Sequence, residues 1–251
     1  MILIKLGGHA MGESSEWVNS IKSKWQSGER FVLVHGGGPQ IDAALKSQNI
    51  SSEFKDGLRV TSPDAMQIVE QTLTGIVQRR IVDELRRFGL PAVGISGSDG
   101  ETLMAVIKSN GDYGLVGDIT SVDSKLLVTL IGAGYLPVIS PIATNSEGEV
   151  LNVNADIAAG AIAGALGVDE IIFMTDVSGI YLNWPDKDSL IEKISISDLK
   201  SMSFTEGMIP KVEAVINAIR SGAGSARIID GRNPLAFSMA LEKSGGTWIQ
   251  K

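Results

Sequence analysis

The chain has 251 residues, 43% of them apolar and 20% charged, with 29 glycines: enough for one large α/β unit, or two lobes, with many tight turns. A net charge of −7 argues against a general nucleic-acid or anionic-membrane surface, although a local site can still be basic. The absence of cysteine excludes disulfides, thiolate catalysis and Cys-held metals, and two histidines, His9 and His35, are too few for a multi-His metal site. The apolar run before Lys5 is too short for a signal peptide or a membrane span, so the cytoplasm is the expected location.

Short apolar runs alternate with amphipathic stretches, which predicts an α/β protein. Ile2-Leu3-Ile4 and Phe31 to Val34 read as buried strands, each ending in glycines, with Trp17, Val18, Ile21 and Trp25 at helical spacing between them. This βαβ unit places both glycine turns at strand C-termini, the edge where open α/β sheets bind ligands. Asp56-Gly57 signals a hairpin between Phe54 and Leu58 to Val60. Ser62-Pro63 reads as N-cap and first residue of a long helix. Its apolar face is Met66, Val69, Leu73, Ile76, Val77, Ile81 and Leu85, and Gly89 is its stop. Ala92 to Ile95 is a strand, and Thr102 to Lys108, turning at Asn110-Gly111-Asp112, predicts a second hairpin. Leu136 to Ile139, Ile171 to Met174 and Ala226 to Ile229 are further strands. Ile157 to Leu166, Gly207 to Ile219 and Pro234 to Glu242 are helices, the first capped by Asn154 or Asp156. No linker or repeat is visible. The division expected between two lobes falls near Gly167, giving lobes of residues 1–167 and 168–251.

Lys5-Leu6-Gly7-Gly8 and His35-Gly36-Gly37-Gly38 are the chemically informative clusters. Glycines after a strand let backbone N–H groups approach an anion, or simply make a tight turn; two clusters on neighbouring strands favour phosphate. Lys5 at a strand end is aimed at the same pocket, while His9 and His35 read as structural groups. Arg59, beside the hairpin, suits carboxylate recognition. Asp156 caps a helix or holds lysines by charge-assisted hydrogen bonds. Lys211 stands near a helix N-terminus, where a cation is unfavourable without an anion nearby. There is no P-loop and no kinase catalytic loop, and Gly222-Ala223-Gly224 precedes a strand rather than following one, so it is not a dinucleotide fingerprint.

Six ordered segments resemble the amino-acid kinase family, and within it the acetylglutamate kinases. They are Lys5 to Gly8, Val34 to Pro39, Gly57 to Thr61, Asn152 to Asp156, Thr175 to Gly179 and Gly207 to Lys211, spanning nearly the whole chain. The resemblance implies a three-layer αβα sandwich with a mostly parallel open sheet. Its N-terminal lobe would bind the amino-acid substrate and pair subunits into a homodimer, and its C-terminal lobe would bind ATP with Mg²⁺. It implies phosphorylation of the side-chain carboxylate of N-acetyl-L-glutamate, in arginine biosynthesis. By position, Lys5 and Lys211 would neutralise the transferring phosphoryl group, Asp156 would orient them, and Gly8 and Gly38 would donate backbone N–H groups. Gly37, Arg59 and Asn152 would hold the acceptor, and Thr175, Asp176, Val177 and Ser178 would line the nucleotide site. No protein metal ligand is implied.

Arginine-inhibited relatives carry an extra N-terminal helix and an acidic-aromatic C-terminal segment. This chain starts at its first strand and ends on Glu242 to Ile249, a poor match, so the expectation is a dimer that arginine does not inhibit. The alternatives are a kinase for a related amino acid, such as carrier-protein-linked aminoadipate or glutamate, and a non-catalytic amino-acid sensor of the same fold.

Overall fold

The computed structural model describes residues 1–8, 16–204 and 208–251; His9 and Gly207 lie outside them. The expected buried strands form as β1 (Ile2–Leu6) and β2 (Phe31–His35). They are joined through α1 (Glu16–Gln26), which buries Trp17, Val18 and Ile21. The second glycine turn opens α2 (Gly38–Ser47). The Asp56-Gly57 hairpin closes between β3 (Glu53–Lys55) and β4 (Leu58–Val60), with φ of 51° at Asp56 and 75° at Gly57, the two left-handed residues of a type I′ turn.

The Ser62 side chain accepts a hydrogen bond from the Ala65 N–H and so starts α3 (Pro63–Glu70). The helix runs on through a π segment, Gln71–Val77, into α4 (Gln78–Arg87), and stops at Gly89. Met66, Val69, Leu73, Val77, Ile81 and Leu85 are buried as expected, but Ile76 is 45% exposed. A uniform 3.6-residue period puts Ile76 on the apolar face; the wider π turn rotates it off.

The middle of the chain gives β5 (Ala92–Ser96), β6 (Leu103–Ile107), β7 (Gly117–Val122), α5 (Lys125–Gly132), β8 (Leu136–Ser140), β9 (Ile142–Thr144) and β10 (Val150–Asn152). Strands β6 and β7 are the expected second hairpin, with a longer connection through a 3-10 turn at Lys108–Gly111. The sequence reading contains neither α5 nor β9 and β10, which at three residues each are too short to show a period. Helix α6 (Ala155–Leu166) is capped by Asn154, whose side chain accepts from the N–H groups of Asp156 and Ile157. Asp156 thus lies inside the first turn, free of capping.

The chain continues as β11 (Glu170–Thr175), β12 (Ile180–Tyr181), β13 (Leu190–Ile191), β14 (Lys193–Ser195), α7 (Ile196–Ser201), α8 (Ile209–Ser221), β15 (Ser225–Asp230), α9 (Ala236–Leu241) and β16 (Thr247–Gln250). One eight-stranded sheet has the order β14-β16-β15-β11-β1-β2-β8-β5 and is parallel except where β16 meets β15. Alternate side chains enter opposite cores, as the period of two demands. Leu3, Val32, Val34, Ile171 and Phe173 pack with α6 and α8, while Ile4, Leu33, Ile172 and Met174 pack with α1, α4 and α9. The result is the expected three-layer αβα sandwich.

Small residues let α6 and α8 touch. A Cβ on Gly160 would lie 2.7 Å from Ala214 O, and one on Gly164 would lie 2.4 Å from Ser221 Cβ. Both pairings advance in the same direction, so the first turns of α6 and α8, with Asp156 and Lys211, emerge at the same end. Among the described residues, no helix is long and apolar enough to cross a membrane.

Candidate active site

Both glycine turns leave the C-terminal ends of adjacent strands, as β1 pairs with β2 in register Leu6 to His35. The turns are stitched to the sheet: Gly7 N–H donates to Met174 O and Gly36 N–H to Leu6 O, each at 2.9 Å. They also meet each other. A Cβ on Gly8 would lie 2.8 Å from Pro39 Cδ and 3.2 Å from Gly38 N, and one on Gly37 would lie 2.8 Å from Leu73 Cδ2. Glycine fits at Gly8 because the Pro39 ring and the Gly38 backbone close on it, and at Gly37 because the Leu73 and Val77 side chains do. Helix α2 has no side-chain cap, so its first N–H groups remain available to an anion.

The strand period carries Lys5 onto the same face as Leu3, towards α6. There its Nζ lies 2.8 Å from Asp156 Oδ1, and both residues are 7% exposed. Asp156 Oδ1 has no hydrogen-bond partner of normal angle, so the contact is an ion pair that leaves the Lys5 N–H donors for another acceptor. A lysine and an aspartate so buried are stable only as a pair. Lys211, three residues into α8, lines a neighbouring cavity.

His35 closes β2 and is fully buried. Its Nδ1 is 2.9 Å from Gly36 O, and a carbonyl only accepts, so this contact assigns the proton to Nδ1. Burial pushes its pKa down to about 4, and at neutral pH an uncharged imidazole supports the second glycine turn. This agrees with a structural reading of His35.

One cavity borders the second glycine turn and the start of α6, and another borders the start of α8. The first, of about 180 Å³, includes Gly37, Gly38, Arg59, Leu73, Asn152 and Ala155 in its wall. Gly37, Arg59 and Asn152, scattered in the sequence, therefore share one cavity. The Asn152 side chain donates to Thr61 Oγ1 at 3.1 Å, and Thr61 donates to Arg59 O, so the two sides of the cavity are linked. The Arg59 Nη1 donates to Asp42 Oδ1 at 2.6 Å and to Ser52 Oγ, and the guanidinium lies 4.6 Å over the Phe54 ring.

The second cavity, of about 550 Å³, has Asp176, Val177, Tyr181, Trp184, Phe204 and Lys211 among its lining residues. Of the turn named from the sequence, Asp176 and Val177 face this space. Thr175 is instead turned back on its own loop: its hydroxyl donates to Val177 O and accepts from Val177 N–H. Ser178 lies in the same turn but not in the cavity wall. The Arg232 side chain donates to Asp176 O and fastens this turn to the end of β15. Tyr181 and Trp184, edge to face at 5.2 Å, are missed by the sequence reading. The one signal for them is a pair of aromatics close together in a polar loop.

Grouped donors, an ion-paired lysine, a carboxylate-sized pocket with an arginine and a larger half-apolar pocket suit transfer of an anionic group between two bound molecules. The amino acid kinase family profile matches residues 1–230. The chain belongs to the amino acid kinase family. Two acetylglutamate kinases of this family are close in sequence. That of Bifidobacterium longum strain DJO10A is 44% identical over 98% of this chain and 82% of its own length. That of Bifidobacterium adolescentis is 46% identical over 93% of this chain and 77% of its own. Among solved structures, smu.665 from Streptococcus mutans UA159 superposes with a TM-score of 0.85 at 29% identity, covering 99% of this chain and 98% of that one. Family membership explains the parallel sheet and the two glycine turns together, and it implies ATP as the phosphoryl donor.

Proposed function

We propose that this chain phosphorylates the side-chain carboxylate of N-acetyl-L-glutamate with ATP, giving an acyl phosphate and ADP, in arginine biosynthesis. The observation that carries the reading is the meeting of the Lys5–Asp156 pair and two glycine turns beside a small pocket that holds Arg59, with a nucleotide-sized cavity lined by Lys211 next to them. The acetylglutamate kinases at 44% and 46% identity support the choice of acceptor.

In this reading residues 1–167 carry the acceptor and residues 168–251 carry ATP. The first cavity draws its walls from residues 36–155 and the second from 176–211. Arg59 takes the acceptor carboxylate that does not react, and Asn152 and Gly37 fix the rest of the molecule. The reacting carboxylate is ionised at pH 7, so no general base is required. What opposes reaction is the repulsion of two anions and their misalignment. Lys5 and Lys211 offset the charge, Gly8 and Gly38 donate N–H groups to the phosphoryl oxygens, and Asp156 holds Lys5 in line. The turn from Thr175 to Ser178 shapes the nucleotide site, and Tyr181 and Trp184 offer aromatic faces to the base. Asp156 is paired with Lys5, and a Mg²⁺ accompanying ATP would offset phosphate charge, with phosphate oxygens and water as its ligands in this reading.

Hydroxylamine trapping tests the reading: with ATP and N-acetylglutamate the protein should yield a hydroxamate and an equal amount of ADP. A hydroxamate with another acceptor but none with acetylglutamate would overturn the substrate, and none with any acceptor would leave the sensor reading.

The same reading includes a homodimer built on the long helix of residues 63–87. Ile76 stands 45% exposed there, and Gly75 beside it has open space around its α carbon, which permits close approach of a second helix. Light scattering should give twice the 26.5 kDa chain mass, and Ile76→Glu should halve it. A monomer at micromolar concentration would remove this part of the proposal.

A further inference from the structure

Arg59 is held from three sides. Both Nη1 hydrogens are used, one on Asp42 Oδ1 at 2.6 Å and one on Ser52 Oγ, and Ser52 also donates to Asp42 Oδ1 at 3.0 Å. Nη2 reaches Gly38 O at a long 3.4 Å, and the flat face rests on Phe54. The Nε edge makes no hydrogen bond among the described residues, and the Arg59 side chain, 6% exposed, contributes to the wall of the small cavity. A guanidinium tied down along one edge presents its opposite Nε/Nη2 edge as a rigid two-donor fork.

We infer that Asp42 is a positioning residue for the acceptor site. It aims the open edge of Arg59 into the cavity and fixes how far that edge stands from the reacting end. The inference rests on the proposed role of Arg59 in binding the acceptor. The fixed distance comes from α2. Gly38 and Asp42 are four residues apart, hence on one helix face and about 6 Å apart along the axis. Gly38 opens the helix at the glycine turns, and Asp42 stands one turn further along, with Arg59 fastened to it. Arg59 spans that turn, tied to Asp42 through Nη1 and close to Gly38 O through Nη2, so one helix face sets where its fork stands. Asp42 itself is half exposed, and its hydrogen bond with Arg59 holds its carboxyl below the usual range, so it stays charged. An anion placed beside a site for an anionic acceptor would repel it if charge alone mattered. Orientation of the fork is what this carboxylate supplies.

The test compares Asp42→Ala, Asp42→Asn and Arg59→Ala with the wild type in steady-state kinetics, alongside thermal shifts induced by N-acetylglutamate alone. Asp42→Ala should raise KM for acetylglutamate about tenfold, with kcat and KM for ATP within about threefold, as expected for loss of one charge-assisted hydrogen bond. Its unliganded melting temperature should stay near wild type because the side chain is half exposed, while the acetylglutamate-induced shift shrinks. Asp42→Asn keeps an acceptor oxygen for Arg59 and should recover part of the affinity. An unchanged KM for acetylglutamate in Asp42→Ala, with Arg59→Ala impaired, would overturn the positioning role and leave the acceptor site standing. Equal rises in both KM values would mark a general loss of structure and also overturn it. No acetylglutamate-induced shift in the wild type would instead remove the acceptor assignment itself.

Discussion

Lys211→Ala is expected to lower kcat by ~10²–10³, the size found when one preorganised donor to a developing charge is lost. Lys211 lines the nucleotide-sized cavity, at the end of the molecule where α6 delivers Asp156, and both helices are pinned by the Gly160 and Gly164 contacts. KM for either substrate should move little, because in the proposed role the charge would act mainly on the phosphoryl group in transit. Lys5→Ala should lose as much in kcat, but it also strands Asp156 in a 7% exposed position. Removing one partner of a buried pair costs about 3–5 kcal/mol of stability. The double variant with Asp156→Asn, in which no buried charge is left alone, separates the two effects: stability should return and kcat should not. A Lys211→Ala enzyme within threefold of wild-type kcat would take Lys211 out of the phosphoryl site.

Arg59→Ala should raise KM for acetylglutamate by at least ~10²-fold, since in the proposed role two hydrogen bonds to a charged carboxylate would be lost, each worth about 1.5–3 kcal/mol. KM for ATP should stay within twofold, because Arg59 contributes to the small cavity and not to the larger one. Asp42 loses its partner, but it is 48% exposed and water takes over, so no charge is left buried and unpaired. Arg59→Lys keeps the charge without the planar fork and should fall between the two. An unchanged KM for acetylglutamate in Arg59→Ala would show that the acceptor lies elsewhere.

The local rules that act within a few residues were legible in the chain itself. The two strand-plus-glycine units, the Asp56-Gly57 hairpin and the Ser62-Pro63 helix start are each decided by neighbours in sequence, and each forms where expected. The period of two also determined that Lys5 shares a face with Leu3, and hence with α6. Composition alone disfavoured thiolate and multi-His chemistry.

Other features depend on contacts that no local pattern encodes. Ile76 leaves the apolar face where the helix takes a π turn, a change of period that the apolar spacing does not report. Strands β9 and β10 exist through pairing, in a sheet whose other strands lie up to 49 residues away in sequence, from Leu103 to Asn152. The choice of Asn154 over Asp156 as cap was open in the sequence because both side chains can accept. Tertiary structure decides it, since the Asp156 side chain pairs with Lys5 on a strand 151 residues earlier in the sequence. The link from Asp42 to Arg59 spans 17 residues and crosses from a helix to a hairpin. Sequence supplied the chemical groups and the short-range geometry that aims them. Which groups meet was settled by the order of strands in the sheet and the close approach of α6 and α8, because burial of charge is tolerated only where the folded chain brings its counterpart.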